Sequence, residues 1–141
     1  MSWSTAIKRT RPSLPMRWLH DAGLLVGRVL DFGCGRGRDA AEFNLESYDP
    51  HWQPDMPTGK FDTITCIYVL NVVAPESMGD IIKRIKDRLV FGGKAYSSVR
   101  RDIKTDHKGR GCIQRNVELN MISRRKTARY QIYESPHSET V

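Results

Sequence analysis

Apolar positions along this chain change their period several times, and each change marks an element. From Ser13, with Pro15 in the first turn, Met16, Trp18 and Leu19 gather on one side of a helix that ends near Gly23. Ser13 is placed to cap it, because a hydroxyl there accepts an N–H of the first turn. Gly27 to Phe32 then carries Val29, Leu30 and Phe32 in a nearly continuous run, the pattern of a strand covered on both faces. A short helix over 38–43 and a strand over 45–48 follow. The eleven residues between Asp49 and Phe61 hold three prolines, Pro50, Pro54 and Pro57, which exclude a helix and a central strand. Phe61 to Ile67, rich in β-branched residues, reads as a buried strand, and Tyr68 to Val73 leave its C-terminal end. Pro75 opens the clearest helix, with Met78, Ile81, Ile82, Ile85 and Leu89 mostly three and four residues apart. Gly92-Gly93 stops it, Lys94 to Val99 forms the next strand, and that strand closes on Arg100-Arg101-Asp102. After a polar loop, the alternation in Ile113–Leu119 and Tyr130–Tyr133 predicts an antiparallel hairpin.

This order predicts an α/β fold of Rossmann-like type: a mainly parallel sheet, helices on both faces, and a C-terminal antiparallel hairpin. Right-handed crossovers would bring the Gly33-Cys34-Gly35-Arg36-Gly37 turn, Asp49, Tyr68–Asn71 and Arg100–Asp102 to one carboxyl edge, where such folds bind ligands. A glycine turn between strand and helix lets backbone approach a nucleoside, and an acid at the tip of the next strand accepts ribose hydroxyls. A nicotinamide or flavin nucleotide is the competing reading, against which the turn lacks a third glycine at GxGxxG spacing. Asp49 also has a structural alternative as a turn cap.

Size and charge narrow the picture. With 141 residues the chain is expected to form one domain at 13–134, preceded by a basic arm at 1–12 and followed by a flexible tail at 135–141. No apolar run approaches the roughly 18 residues of a membrane span, and no leader pattern is evident, so a cytoplasmic protein is expected. Cys34, Cys66 and Cys112 are widely spaced, which supports neither a disulfide framework nor a metal site. The net charge of +7 is concentrated after residue 99, so nucleic acid or an anionic small substrate enters as a partner beside the plainer reading of solvated arginines.

Taken together, LDFGCGRGRD, YDP, FDTITCIYVLNVV and the strand after Gly92-Gly93 resemble class I S-adenosylmethionine-dependent methyltransferases, over about residues 25–100. The segments RPSLPMRWLHDAGLL, YDPHW and YVLNVV look more narrowly like small bacterial and phage methyltransferases. The resemblance implies S-adenosylmethionine as cofactor. It puts Asp31, Gly33, Cys34, Gly35 and Gly37 on the motif around the methionine part, and Asp49 on the ribose acid. Pro50 and His51 then lie beside adenine, and Cys66, Tyr68 and Asn71 face the sulfonium. Two departures stand out. The step from Gly37 to Asp49 is short, and the proline loop replaces the family's third strand and its helix. A trimmed sheet of six strands is therefore expected, its second strand an edge that a homodimer would shield.

Methyl transfer needs a base only when the nucleophile arrives protonated, and His51, Tyr68 and Asp102 are the candidates at the edge. Neither the Asn/Asp-Pro-Pro-aromatic motif of amino-methylating DNA enzymes nor the Pro-Cys of cytosine C5 enzymes is present. A small molecule or an exposed nucleotide is therefore the expected acceptor. A cofactor-binding regulatory subunit without turnover, and a basic nucleic-acid-binding module reusing the fold, are the alternatives.

Overall fold

The computed structural model describes residues 10–103, 106–109 and 112–137. Helix α1 (Leu14–Asp21) starts where the sequence predicts: the Ser13 hydroxyl accepts the Met16 N–H, and Pro15 stands in the first turn. Strand β1 (Val29–Phe32), helix α2 (Arg38–Phe43) and strand β2 (Glu46–Tyr48) follow, then β3 (Phe61–Ile67), α3 (Pro75–Asp87) and β4 (Leu89–Arg100). The last elements are β5 (His107–Gly109), β6 (Cys112–Gln114), β7 (Ile122–Lys126) and β8 (Tyr130–Pro136).

Six strands form one sheet in the order β2-β1-β3-β4-β8-β7, while β5 and β6 pair separately. The pairs of β1 with β2, β1 with β3 and β3 with β4 are parallel, and β8 is antiparallel to both β4 and β7. The trimmed six-stranded sheet and the edge position of β2 are as the sequence predicts. The proline segment holds turns and one bridge between Asp49 and Gln53, and no strand replaces the missing one.

Alternating positions supply the two faces. Leu30, Phe32, Ile64, Cys66, Ala95 and Val99 face the layer built with Ile81 and Ile85 of α3. Ile67, Tyr96, Tyr130 and Ile132 point the other way, onto Met16 and Leu19 of α1. Met16 and Leu19 are wholly buried, and each such side chain contributes about 1.5–3 kcal/mol of transfer free energy.

Three expectations are corrected. The hairpin partner of β8 is β7, not 113–119, because Ile122–Lys126 is an exposed edge strand held by backbone pairing and carries no apolar alternation. Cys112–Gln114 instead pairs with His107–Gly109. The strand expected at 94–99 begins at Leu89, and its pairing with β3 shifts register between Phe61 and Thr63, around Gly92-Gly93. In addition, β8 extends through Pro136, two residues into the segment expected to be tail. Most of the arm expected at 1–12 lies outside the described residues. Among the described residues, no helix is long and apolar enough to cross a membrane.

Candidate functional site

The order of strands reverses between β1 and β3, and a cavity of about 480 Å³ opens at the carboxyl edge there. Its first wall is the glycine turn. Gly33, Gly35 and Gly37 sit at φ +82°, +57° and +85°, a region where any other L-residue is strained, so the turn is available only to glycine at low cost. The amides of Gly33 and Cys34 donate to the Tyr48 carbonyl at 2.7 and 3.0 Å, which ties the turn to the end of β2.

Asp49, 2% exposed, locks this corner. Its Oδ2 accepts the Gly35 N–H at 2.9 Å, and its Oδ1 accepts from His51 and Trp52 at 2.9 and 3.0 Å. Asp31, at the same depth, accepts from the Thr65 hydroxyl at 2.9 Å across the in-register β1–β3 pair. Both carboxylates line the cavity. Between them stands Cys34, whose thiol is pushed up to about 12, first by burial and then by the negative charges of Asp31 and Asp49. Asp39 takes both the N–H and the hydroxyl of Ser13 at 2.7 Å, which brings the start of α1 onto α2 beside Leu14 at the cavity rim.

The far wall begins at the tip of β3. Tyr68 has φ +59°, an uncommon conformation for a bulky residue outside glycine and one that collects at functional sites. Asn71, 1% exposed, donates through Nδ2 to Gln114 Oε1 at 3.0 Å. Arg115 clamps the same segment by donating to the carbonyls of Leu70 and Val73. At the ends of β4 and β8, Arg100 grips Asp102 with two hydrogen bonds of 2.9 and 2.7 Å, and Arg129 stands alongside. The Arg100 hydrogen bonds are the main reason that the Asp102 carboxyl is held below its usual range.

Among the residues singled out from the sequence, the cavity brings together Asp31, Gly33, Cys34, Gly35 and Asp49 on one side with Tyr68, Asn71 and Asp102 on the other. Four are placed elsewhere. Cys66 is fully buried in the core on β3, because its side chain takes the face opposite Asp31 and Thr65. Pro50 and His51 are exposed and outside the cavity lining, in the turn closed by the Asp49–Gln53 bridge, with the His51 ring edge-on to Trp52 at 4.8 Å. Gly37 lies outside the lining and serves as the left-handed N-cap of α2. Pro50, His51, Cys66 and Gly37 therefore do not line the cavity.

Sequence reasoning passed over Leu14, Arg36, Asp39, Gln114 and Arg129, all of which line the cavity. For Arg129 a signal existed: an antiparallel final strand must start at the edge where the parallel strands end, so the residue before Tyr130 belongs to the ligand edge.

Comparison with known proteins bears on the fold and the family. Among solved structures, the Burkholderia thailandensis 1,6-didemethyltoxoflavin-N1-methyltransferase, with 1,6-didemethyltoxoflavin and S-adenosylhomocysteine bound, superposes with a TM-score of 0.64 at 17% identity, covering 88% of this chain and 76% of that one. The N-methyltransferase NodS of Bradyrhizobium japonicum WM9, in complex with S-adenosylhomocysteine, gives 0.55 at 13% identity, with 89% and 85% covered. Magnesium protoporphyrin IX methyltransferase of Synechocystis PCC 6803, with S-adenosylmethionine bound, gives 0.53 at 16% identity, with 88% and 76% covered. No curated protein matches in sequence. The family described as "Methyltransferase domain" matches residues 7–126, and the chain belongs to it, as a trimmed class I S-adenosylmethionine-dependent methyltransferase fold.

Proposed function

We propose that this protein binds S-adenosylmethionine against the glycine turn and transfers its methyl group to a small-molecule acceptor. The observation that carries the reading is one continuous cavity with a glycine turn and two buried carboxylates at one end and Tyr68, Arg100 and Arg129 at the other. The residues present fit the cofactor. The volume lies in the range of small-molecule sites, Asp31 and Asp49 suit an ammonium and a ribose diol, and the turn presents backbone rather than side chains. Bound there, S-adenosylmethionine supplies an electrophilic methyl on a sulfonium whose departing thioether is neutral, so no acid is required for the leaving group.

The chain's own contribution is positioning. Asp49 holds the nucleoside end and ties it to the turn, while Asn71, braced by Arg115 and Gln114, shapes the wall opposite. Among the three base candidates, Tyr68 is the one the geometry favours, since it lines the cavity from a constrained backbone. Asp102 is ionised and committed to Arg100, which makes it a weak base, and His51 stands outside. The small acceptors in the names of relatives, 1,6-didemethyltoxoflavin and magnesium protoporphyrin IX, support a small molecule over a polymer. An exposed nucleotide is the second reading, supported by the arginines at the acceptor end.

Calorimetric titration of the full chain with S-adenosylhomocysteine tests the cofactor reading: saturable binding at one site is expected, with no heat from NAD. Preferential binding of NAD would overturn it. Binding without methyl release to any acceptor in a broad panel would instead indicate a regulatory subunit.

A further inference from the structure

Arginine is always charged in a protein, so each guanidinium near a cavity needs a counter-charge or pays for its absence. Among the described residues, Arg100, Arg101, Arg115 and Arg129 stand toward the acceptor end. Arg100 is matched by Asp102. Arg101 is not matched. Only 9% exposed, it donates to Gln131 Oε1 at 2.8 Å, the Arg100 carbonyl at 3.2 Å, Asn116 Oδ1 at 3.1 Å and the Tyr133 hydroxyl at 2.8 Å, all of them neutral. Arg115 likewise donates to the carbonyls of Leu70 and Val73. Arg129 lines the cavity within electrostatic reach of Asp102, whose carboxyl it helps to hold low, so that one carboxylate serves both Arg100 and Arg129. Asp106 accepts the Asn116 N–H.

The backbone brings these charges together. Arg100 on β4 is in register with Tyr130 on β8, and the Arg101 N–H donates to the Arg129 carbonyl at 2.8 Å. Arg100 and Arg129 both line the cavity at this end, while the Arg101 side chain is held outside the lining by Gln131, Asn116 and Tyr133. The glycine-turn end differs: the buried carboxylates of Asp31 and Asp49 face the cavity there, while of the two arginines in its lining Arg38 is paired with Glu42 and Arg36 lies over the Trp52 ring. The cavity is thus polarised along its length. A cationic cofactor suits one end and an anion suits the other, where unbalanced guanidinium charge in a partly desolvated setting is offset by a bidentate oxyanion.

We infer that the methyl acceptor carries a carboxylate or phosphate group, and that Arg129 with Arg100 forms the subsite that holds it. This rests on the methyltransferase reading for one point, which end of the cavity receives the acceptor.

The test uses the full chain saturated with S-adenosylhomocysteine, in phosphate-free buffer at low salt. Benzoate, phenyl phosphate and neutral benzyl alcohol are titrated in turn, with binding followed by amide chemical shifts. At least one anionic probe is expected to bind about tenfold more tightly than benzyl alcohol, shifting the amides of Arg100, Asp102 and Arg129. Arg129→Gln is expected to remove about tenfold of that affinity, while Arg129→Lys retains part of it. S-adenosylhomocysteine affinity should stay within about twofold in both variants. Preference for benzoate identifies a carboxylate acceptor, and preference for phenyl phosphate identifies a phosphate. Equal binding of benzyl alcohol, binding of no probe, or an anion affinity untouched by Arg129→Gln overturns the subsite. Failure of S-adenosylhomocysteine itself to bind strikes the methyltransferase reading instead.

Discussion

Asp49 has two roles in the structure, and substituting it separates them. Its carboxylate accepts three backbone N–H groups, from Gly35, His51 and Trp52, while lining the cavity. Asp49→Ala strips the acceptor from all three. The Gly35 N–H is buried and would bear the full penalty of an unpaired donor, about 1–3 kcal/mol, whereas His51 and Trp52 lie on a loop that water reaches and lose less. A total of about 2–4 kcal/mol follows, which lowers Tm by roughly 7–14 °C in a domain of this size. Asp49→Asn keeps one acceptor oxygen and should cost about half as much, so the folded protein can be titrated. The charge-assisted bonds to a ribose diol are worth about 1.5–3 kcal/mol, so S-adenosylhomocysteine should bind Asp49→Asn about 10- to 100-fold more weakly. Calorimetry at a temperature well below both melting transitions reads that ratio. An Asp49→Asn protein that is destabilised yet binds within about twofold of wild type would show that the carboxylate is only a turn fastener.

Other consequences are equally specific. Tyr68→Phe should bind S-adenosylhomocysteine unchanged but lose at least about tenfold in kcat if its hydroxyl takes the acceptor's proton; equal turnover would remove Tyr68 as the base. Because Arg100 lowers the Asp102 pKa, the pair's contribution is complete above the unfolded carboxylate value near 4 and disappears only as pH falls through the lower folded value. Affinity for an anionic probe should therefore show no Asp102-dependent inflection between about pH 5 and 9, a profile that Asp102→Asn checks. With its thiol raised to about 12, Cys34 should resist iodoacetamide at pH 8 in a Cys112→Ser background, where mass spectrometry of tryptic peptides would reveal rapid labelling if the burial argument were wrong.

The parts of the fold that were legible in the chain are those where burial imposes a period. Ser13 and Pro15 mark the start of α1, Ile81 and Ile85 give the buried side of α3, and the run around Leu30 marks β1. The glycine turn was readable because φ values near +57° to +85° admit little but glycine. Strand β7 was not, since all five of its residues are exposed and only backbone pairing with β8 makes it a strand. The same holds for the site. Asp31, Asp49 and Tyr68 sit at strand tips and could be placed by topology. Cys66 could not, because whether a residue near a strand end faces ligand or core depends on its parity, and one step along β3 separates Thr65 beside Asp31 from Cys66 in the core. Arg129 follows from the direction of β8, whose first residues lie beside the end of β4 at the ligand edge.

A crystal structure of the full chain grown with S-adenosylhomocysteine bears most directly on cofactor binding at the reversal point of the sheet. The ribose hydroxyls should lie within hydrogen-bonding distance of Asp49, the amino group near Asp31, and the sulfur should face Tyr68 with open space toward Arg100 and Arg129. A nucleoside bound elsewhere, or one in this cavity with its ribose turned away from Asp49, would contradict that placement.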